Sequence, residues 1–200
     1  MIFKQSKIIT VLACVLVLAS CSNKERTALP IYGDKNHRIA DFRFQDQDSS
    51  WVTNDTFRDK IYVADFFFTT CPTICPIMSK NMLLVTEHFK DNPSVGIISH
   101  SIDPKHDSIP VLKKYAKKLG ANTNLWHFVN GSADEIYTLA EKSYFSAAAE
   151  EKEAPGGYIH SGGFVLVDQH RQIRGIYDGT VVDSVKKLIQ DMDFLLKNLK

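Results

Sequence analysis

Two periods of hydrophobic and polar positions alternate along this chain. IYVADFFFTT (61–70) is a continuous apolar, β-branched and aromatic run, the pattern of a strand buried on both faces. VGIISHSID (95–103) repeats it, and LWHFVNG (125–131) is a shorter version. Between and after these strands the period lengthens to that of helices. CPIMSKNMLLVTEHFK (75–90) predicts a helix with Pro76 in its first turn and Ile77, Met82, Leu83, Val85, Thr86 and Phe89 on its apolar face. SIPVLKKYAKKLG (108–120) predicts a second, ending at Gly120 with lysines near its C-terminus. SADEIYTLAEKSYF (132–145) opens on Ser132 with Glu135 three residues on, a capping box. HSGGFVLVD and RQIRGIYDG flank a short polar turn and predict a hairpin, and VVDSVKKLIQDMDFLLKNL predicts a closing amphipathic helix. At the start, IADFRFQDQDSSWV (39–52) predicts another hairpin; AAAEEKEAPGGY (147–158) is a charged loop bounded by Gly and Pro. No internal repeat is visible.

Strands alternating with helices argue for an α/β domain over residues 39–200, with a central mixed sheet flanked by helices and an N-terminal β-hairpin. What precedes it reads differently. Residues 1–20 carry Lys4 and Lys7, then an apolar stretch from Ile8 to Leu18 that is too short to span a bilayer. The stretch ends in Leu18-Ala19-Ser20-Cys21, which resembles a bacterial lipobox, so Cys21 is expected to carry lipid after cleavage. Residues 21–38 are polar and turn-rich and are expected to be a flexible linker. The expectation is a lipoprotein facing an extracytoplasmic, periplasm-like space, held to a membrane through its anchor. Removing the leader takes the formal charge from +1 to −1. Neither value supports a nucleic-acid partner, which would call for a basic stripe.

The leader also changes the cysteine count. Cys14 departs with it and Cys21 is lipidated, leaving Cys71 and Cys75 as thiols in FFFTTCPTICP. They lie where the first core strand hands over to its helix, the position of the active dithiol in thioredoxin-like folds. Residues four apart on a helix share a face, and a thiolate at a helix N-terminus is favoured by orphan N–H groups and the dipole. A structural disulfide closing so short a loop would constrain the unfolded chain little. A thioredoxin-type reductase uses C-x-x-C, whereas Pro72, Thr73 and Ile74 intervene here. A peroxidase built on Thr-x-x-Cys would need an arginine beside its nucleophile. Two thiolates are too few for a closed zinc site, but with one imidazole they can hold Cu(I) in three-coordinate geometry.

Seven histidines could supply that imidazole. His37 falls in the linker and His170 in a polar turn, both expected to be solvated. His88 is too far along its helix to reach back. His100 and His127 lie within strands, where a satisfied core or edge role is expected. His106 sits in the turn after the second strand. His160 is different, because a Gly-Gly loop delivers it to the head of a late strand. Spacing alone leaves its role open between ligand and structure.

CPTICP after an aromatic strand, SIDPKHDS after the second strand and a histidine heading a late strand together resemble the Sco/SenC family. The resemblance runs from about Ile39 to the final helix. It implies a thioredoxin-like fold and a copper-binding protein of cytochrome c oxidase assembly. Cys71, Cys75 and His160 would be the ligands of one Cu(I) or Cu(II). Asp103 matches a family aspartate near the site that could orient a ligand or partner; the plainer reading is a helix-entry turn. The family usually has Asp directly before the histidine, where this chain has Ile159. The implied role is a metallochaperone delivering copper to the dinuclear site of oxidase subunit II, with an upstream thiol reductant keeping the dithiol reduced. The alternatives are a thiol–disulfide oxidoreductase acting on the same subunit, in which Cys71 and Cys75 are the catalytic dithiol, and a redox or copper sensor.

Overall fold

In a computed structural model of the chain, residues 28–151 and 153–199 are described. The leader, Cys14 and Cys21 lie outside them. The elements run β1 (Arg43–Asp46), β2 (Trp51–Thr53), β3 (Ile61–Phe67), α1 (Cys75–His88), β4 (Val95–Ser101), α2 (Ile109–Leu119), β5 (Trp126–Asn130), α3 (Ala133–Ser143), β6 (Ala148–Glu150), β7 (Tyr158–His160), β8 (Gly163–Val167), β9 (Ile173–Asp178) and α4 (Val182–Lys197). Seven strands form one sheet in the order β2-β1-β5-β4-β3-β8-β9. β3, β4 and β5 are parallel, and β1, β8 and β9 join antiparallel to their neighbours. The fold is the expected α/β arrangement, with a mixed sheet, four helices and a short N-terminal hairpin.

β3 and β4 are buried at every position, as their unbroken apolar runs predict. Phe66 and Phe67 are adjacent on β3 and so point to opposite faces of the sheet. Phe67 packs on Phe128 and on Tyr115 of α2, while Phe66 stacks on His100 and meets Tyr144 edge-on. One core residue on each side of β3 thus ties the sheet to both helical layers.

Several expectations need correction. On α1 the inward face is built from Met78, Met82, Val85 and Thr86, whereas Ile77 is 49% exposed. The helix begins at Cys75, so its phase is set by the turn before it and rotates Ile77 out. Residues 28–38, expected to be linker, lie against the domain where they are described. Leu29 is buried, Arg174 donates to the carbonyls of Leu29 and Pro30, and the Tyr32 amide donates to Ile173. His37, expected to be solvated, donates from Nε2 to the Ser143 carbonyl and stacks on Phe145. The loop at 147–158 contains β6 and the first residue of β7, which pair as a separate two-stranded sheet.

His127 behaves as expected, with Nδ1 3.0 Å from the Asp46 carboxylate. His88 meets Asp193 of α4 and takes no part in the dithiol region. His100 is not a satisfied core histidine. It is fully buried among Phe42, Phe44, Phe66 and Tyr144, and neither ring nitrogen has a hydrogen-bond partner. Burial drives its pKa down to about 3, so the folded protein carries it neutral. Asp65, buried in β3, is the opposite case: burial pushes its pKa up to about 7, although the Ser99 hydroxyl donates to it.

These two groups give opposite pH slopes. The unfolded chain protonates His100 below about pH 6.5. The folded chain resists down to about 3, so stability linked to His100 is full above 6.5 and falls as pH drops. Asp65 holds its proton up to about pH 7 when folded, so its contribution is full below about 3.8 and falls as pH rises through 7. Chemical denaturation across this range should show His100→Leu gaining on the parent by up to about 1.4 kcal/mol per unit as pH falls below 6.5. Asp65→Asn should gain on the parent as pH rises from about 4 to 7. Parallel curves for either variant and the parent would contradict the assignment.

Candidate metal centre

The site forms where β3 ends. After Phe67 the chain leaves the sheet, the Cys71 amide donates to the Phe68 carbonyl, and Cys75 opens α1 with Pro76 behind it. No side chain caps α1; Ile74 occupies the cap position. Pro76 has no N–H, and the Ile77 and Met78 amides donate to the Ile74 carbonyl, so the Cys75 amide is the helix-end donor left to serve Cys71. Both cysteines are free thiols, and both are buried.

The third group arrives on β7. In the β6–β7 ladder, His160 pairs with Ala148 and ends its strand, three residues before β8 begins at Gly163. It is therefore carried by the small second sheet and not by the head of the core strand. His160 Nε2 lies 3.2 Å from the Cys75 sulfur, and the three donor atoms of Cys71, Cys75 and His160 lie within 4.8 Å of one another. This is the one cluster of three metal-ligating side chains among the described residues.

The protonation pattern follows from the neighbours. His160 Nδ1 faces the Ser161 carbonyl at 3.1 Å. A carbonyl only accepts, so Nδ1 carries the proton and Nε2 presents its lone pair to the thiols. Burial lowers the His160 pKa, partly offset by that carbonyl, which keeps the ring neutral. Burial alone would raise the Cys71 pKa, but the Cys75 thiol, the backbone amides of Cys75 and Thr73 and the Thr73 hydroxyl outweigh it and bring it below the ordinary thiol value. Burial, reinforced by Cys71, raises Cys75 instead. Cys71 is the readier thiolate, and the single Cys75 proton has two acceptors within reach, the Cys71 sulfur and His160 Nε2.

The turn SIDPKHD after β4 holds both halves of this site. Asp107 is fully buried; it accepts the Thr69 amide at 3.0 Å, the Thr69 hydroxyl, the Ser101 hydroxyl at 2.6 Å and a contact from His106 Nδ1 at 3.1 Å. Thr69 is two residues before Cys71. Asp103 accepts the Tyr158 hydroxyl at 2.8 Å, and Tyr158 is two residues before His160. Asp103 also closes its own turn, accepting the His106 amide at 3.3 Å. Asp103 is thus a turn residue whose carboxylate also reaches the histidine strand.

The sequence reading missed Asp107, Thr69, Tyr158 and Gly156. Gly156 has φ +84, and a Cβ there would stand 2.8 Å from the Phe68 ring and 3.2 Å from Pro72. Only glycine lets the histidine arm close onto the cysteine loop. The available signal was the second aspartate of SIDPKHDS and the Gly-Gly pair.

Removing Asp107 takes the acceptor from the Thr69 amide and from the Thr69 and Ser101 hydroxyls, so Asp107→Ala should cost roughly 2–5 kcal/mol in chemical denaturation. Tyr158→Phe and Gly156→Ala should act on the arm instead. Nitrogen-detected NMR should show His160 losing its single Nδ1–H tautomer in both, with the core unfolding transition lowered by no more than about 2 kcal/mol. An unchanged His160 spectrum would mean the arm does not depend on these contacts.

With the site's geometry described, three solved structures bear comparison. A SCO1/SenC family lipoprotein from Bacillus anthracis str. Ames is 28% identical, covering 84% of this chain and 99% of its own, with a TM-score of 0.74. BsSco, described as a member of the Sco family of cytochrome c oxidase assembly proteins with a disulfide switch, is 30% identical over 88% of this chain and all of its own, with a TM-score of 0.75. Copper-bound ScoI from Arabidopsis thaliana shares the fold at 22% identity, a TM-score of 0.64, and coverage of 78% and 98%. The SCO1/SenC family pattern matches residues 32–197. The chain belongs to the SCO1/SenC family.

Proposed function

We propose that this chain is a membrane-tethered copper chaperone that holds one copper ion as cargo between Cys71, Cys75 and His160 and delivers it to the dinuclear copper site of cytochrome c oxidase subunit II. The observation that carries the reading is the convergence of two thiols and a neutral imidazole whose donor atoms lie within 4.8 Å of one another. The donor set fits the metal: soft thiolates favour Cu(I), and two sulfurs with one nitrogen make a low-coordinate site that can exchange ligands. Placing the histidine on a separate two-stranded arm supports release, since one ligand can retreat without disturbing the sheet. The assembly role rests on family membership and on the description of BsSco. The lipid anchor on Cys21 and the extracytoplasmic location rest on the leader pattern and on the lipoprotein relative. No helix among the described residues is long and apolar enough to cross a membrane. Loading requires reduced thiols, so an upstream thiol reductant completes the scheme.

A second reading has its own observation. The two thiols are driven in opposite directions, Cys71 toward thiolate and Cys75 toward thiol, which suits a dithiol that attacks a disulfide through Cys71 and resolves it through Cys75. That chemistry needs no imidazole ligand. A peroxidase gains no support, because no arginine lines the cleft beside the cysteines.

An anaerobic Cu(I) titration of the reduced full chain in detergent, against a chromogenic chelator, separates the readings. A one-to-one complex should form, be abolished in Cys71→Ser and Cys75→Ser, and weaken at least about tenfold, 1.4 kcal/mol, in His160→Ala. Equal binding by the parent and His160→Ala would remove His160 from the site and favour the oxidoreductase.

A further inference from the structure

The thiols open sideways into a cleft of about 360 Å³ between α1 and α2. Phe68, Pro76 and Leu119 supply its apolar walls, and Ser79 and Tyr115 meet within it, hydroxyl to hydroxyl, at 2.7 Å. Cys71 and Cys75 both line it, so the cleft is a route by which another molecule reaches the sulfurs. Among its lining residues one is charged, Lys118. Lys118 is exposed, three residues beyond Tyr115 on α2, and has no ion-pair partner among the described residues. Lys113, by contrast, is paired with Asp48. Lys114, one turn before Lys118, adds a second exposed positive charge to this flank. No carboxylate lines the cleft to balance them.

We propose that this cleft is a docking subsite for an anionic side chain of the exchange partner, a protein segment carrying Asp or Glu beside its own sulfur ligands, with Lys118 holding the carboxylate next to Cys71. The proposal rests on the reading that Cys71 and Cys75 are the working thiols, and it adds the chemistry of what approaches them. Lysine suits the position, since a mobile point charge at the rim steers an incoming anion without fixing one geometry. The apolar walls and the hydroxyl pair then receive the segment that follows.

Small disulfides of different charge test this without knowing the partner. The probes are 5,5′-dithiobis(2-nitrobenzoate), which is anionic, 4,4′-dithiodipyridine, which is neutral, and cystamine, which is cationic. In each case the Cys71 thiolate attacks one probe sulfur, a mixed disulfide forms, and half of the probe leaves as a thiolate. Cys75, releasing its proton to solvent, attacks the Cys71 sulfur, closes the Cys71–Cys75 disulfide and expels the other half. The protein loses two electrons and the probe gains them. Rates are expressed relative to the neutral probe, which cancels any change in thiolate fraction between variants.

At low salt, Lys118→Glu should lower the anionic-to-neutral ratio by at least about threefold and raise the cationic-to-neutral ratio, with both effects shrinking at high salt. Lys118→Gln should fall between parent and reversal, and guards against a folding defect in the reversed variant. Lys60→Glu, in a separate pocket beside the start of β3, should leave the ratios unchanged. Ratios indifferent to Lys118, or an equal response to Lys60→Glu, would overturn the proposal. A Cu(I) titration of the same variants keeps the two questions apart. One-to-one binding with flat charge ratios removes the docking subsite and leaves the chaperone reading. Charge selectivity without copper binding does the reverse.

Discussion

The hold of one turn on two distant segments organises this site. Cys71 and His160 stand nearly ninety residues apart in sequence, and neither lies within the central sheet. Left to themselves, a loop after β3 and a short arm after α3 would wander by more than a ligand distance. The turn after β4 prevents this from both ends. Asp107 grips Thr69 on the cysteine side and Asp103 grips Tyr158 on the histidine side. The turn is itself tied down: Asn130 donates to the carbonyls of Pro104 and Asp107, and Tyr137 donates to the carbonyl of Ile102. Three consecutive strand ends, β3, β4 and β5, thus support a centre that none of them contains.

The cost of this arrangement is a fully buried carboxylate at Asp107. A buried charge is tolerated when its lone pairs are filled, and Asp107 receives an amide, two hydroxyls and an imidazole. His100 shows what happens without partners: it stays in the core only as the neutral ring, stacked on Phe66. The two residues lie in successive parts of one segment, the strand and the turn that follows it. One is a polar group made useful by its partners, and the other is a polar group kept by its ring.

The fold was legible in the chain because its signals are local. β3 and β4 are continuous apolar runs, α2 ends on a glycine with φ +71, and α3 begins at Ser132, whose hydroxyl accepts the Glu135 amide. The dithiol was legible for the same reason, since strand, cysteines and helix are adjacent in sequence. His160 was not readable from spacing. The two strands that carry it are three residues each, too short to show a period, and their pairing is decided by the Gly156–Gly157 turn and by contacts with Phe68. Asp107 carries no signal of its own in the sequence, because burial of a turn is decided by whatever packs over it. The rotation of Ile77 out of the α1 interface has a similar cause: the first turn answers to the cysteine loop and not to the helix's average pattern.

The same strand geometry decides what Ile159 means. Successive side chains on a strand point to opposite sides. Tyr158 and His160 both turn toward the cysteine loop, where Phe68 meets each ring, so Ile159 between them must turn away. It is 46% exposed. An acidic residue at this position would therefore stand on the outer face of the arm, where it could meet a partner or solvent but could not join the two sulfurs and the imidazole. Replacing it with isoleucine leaves the donor set intact and changes only the surface that an approaching protein reads.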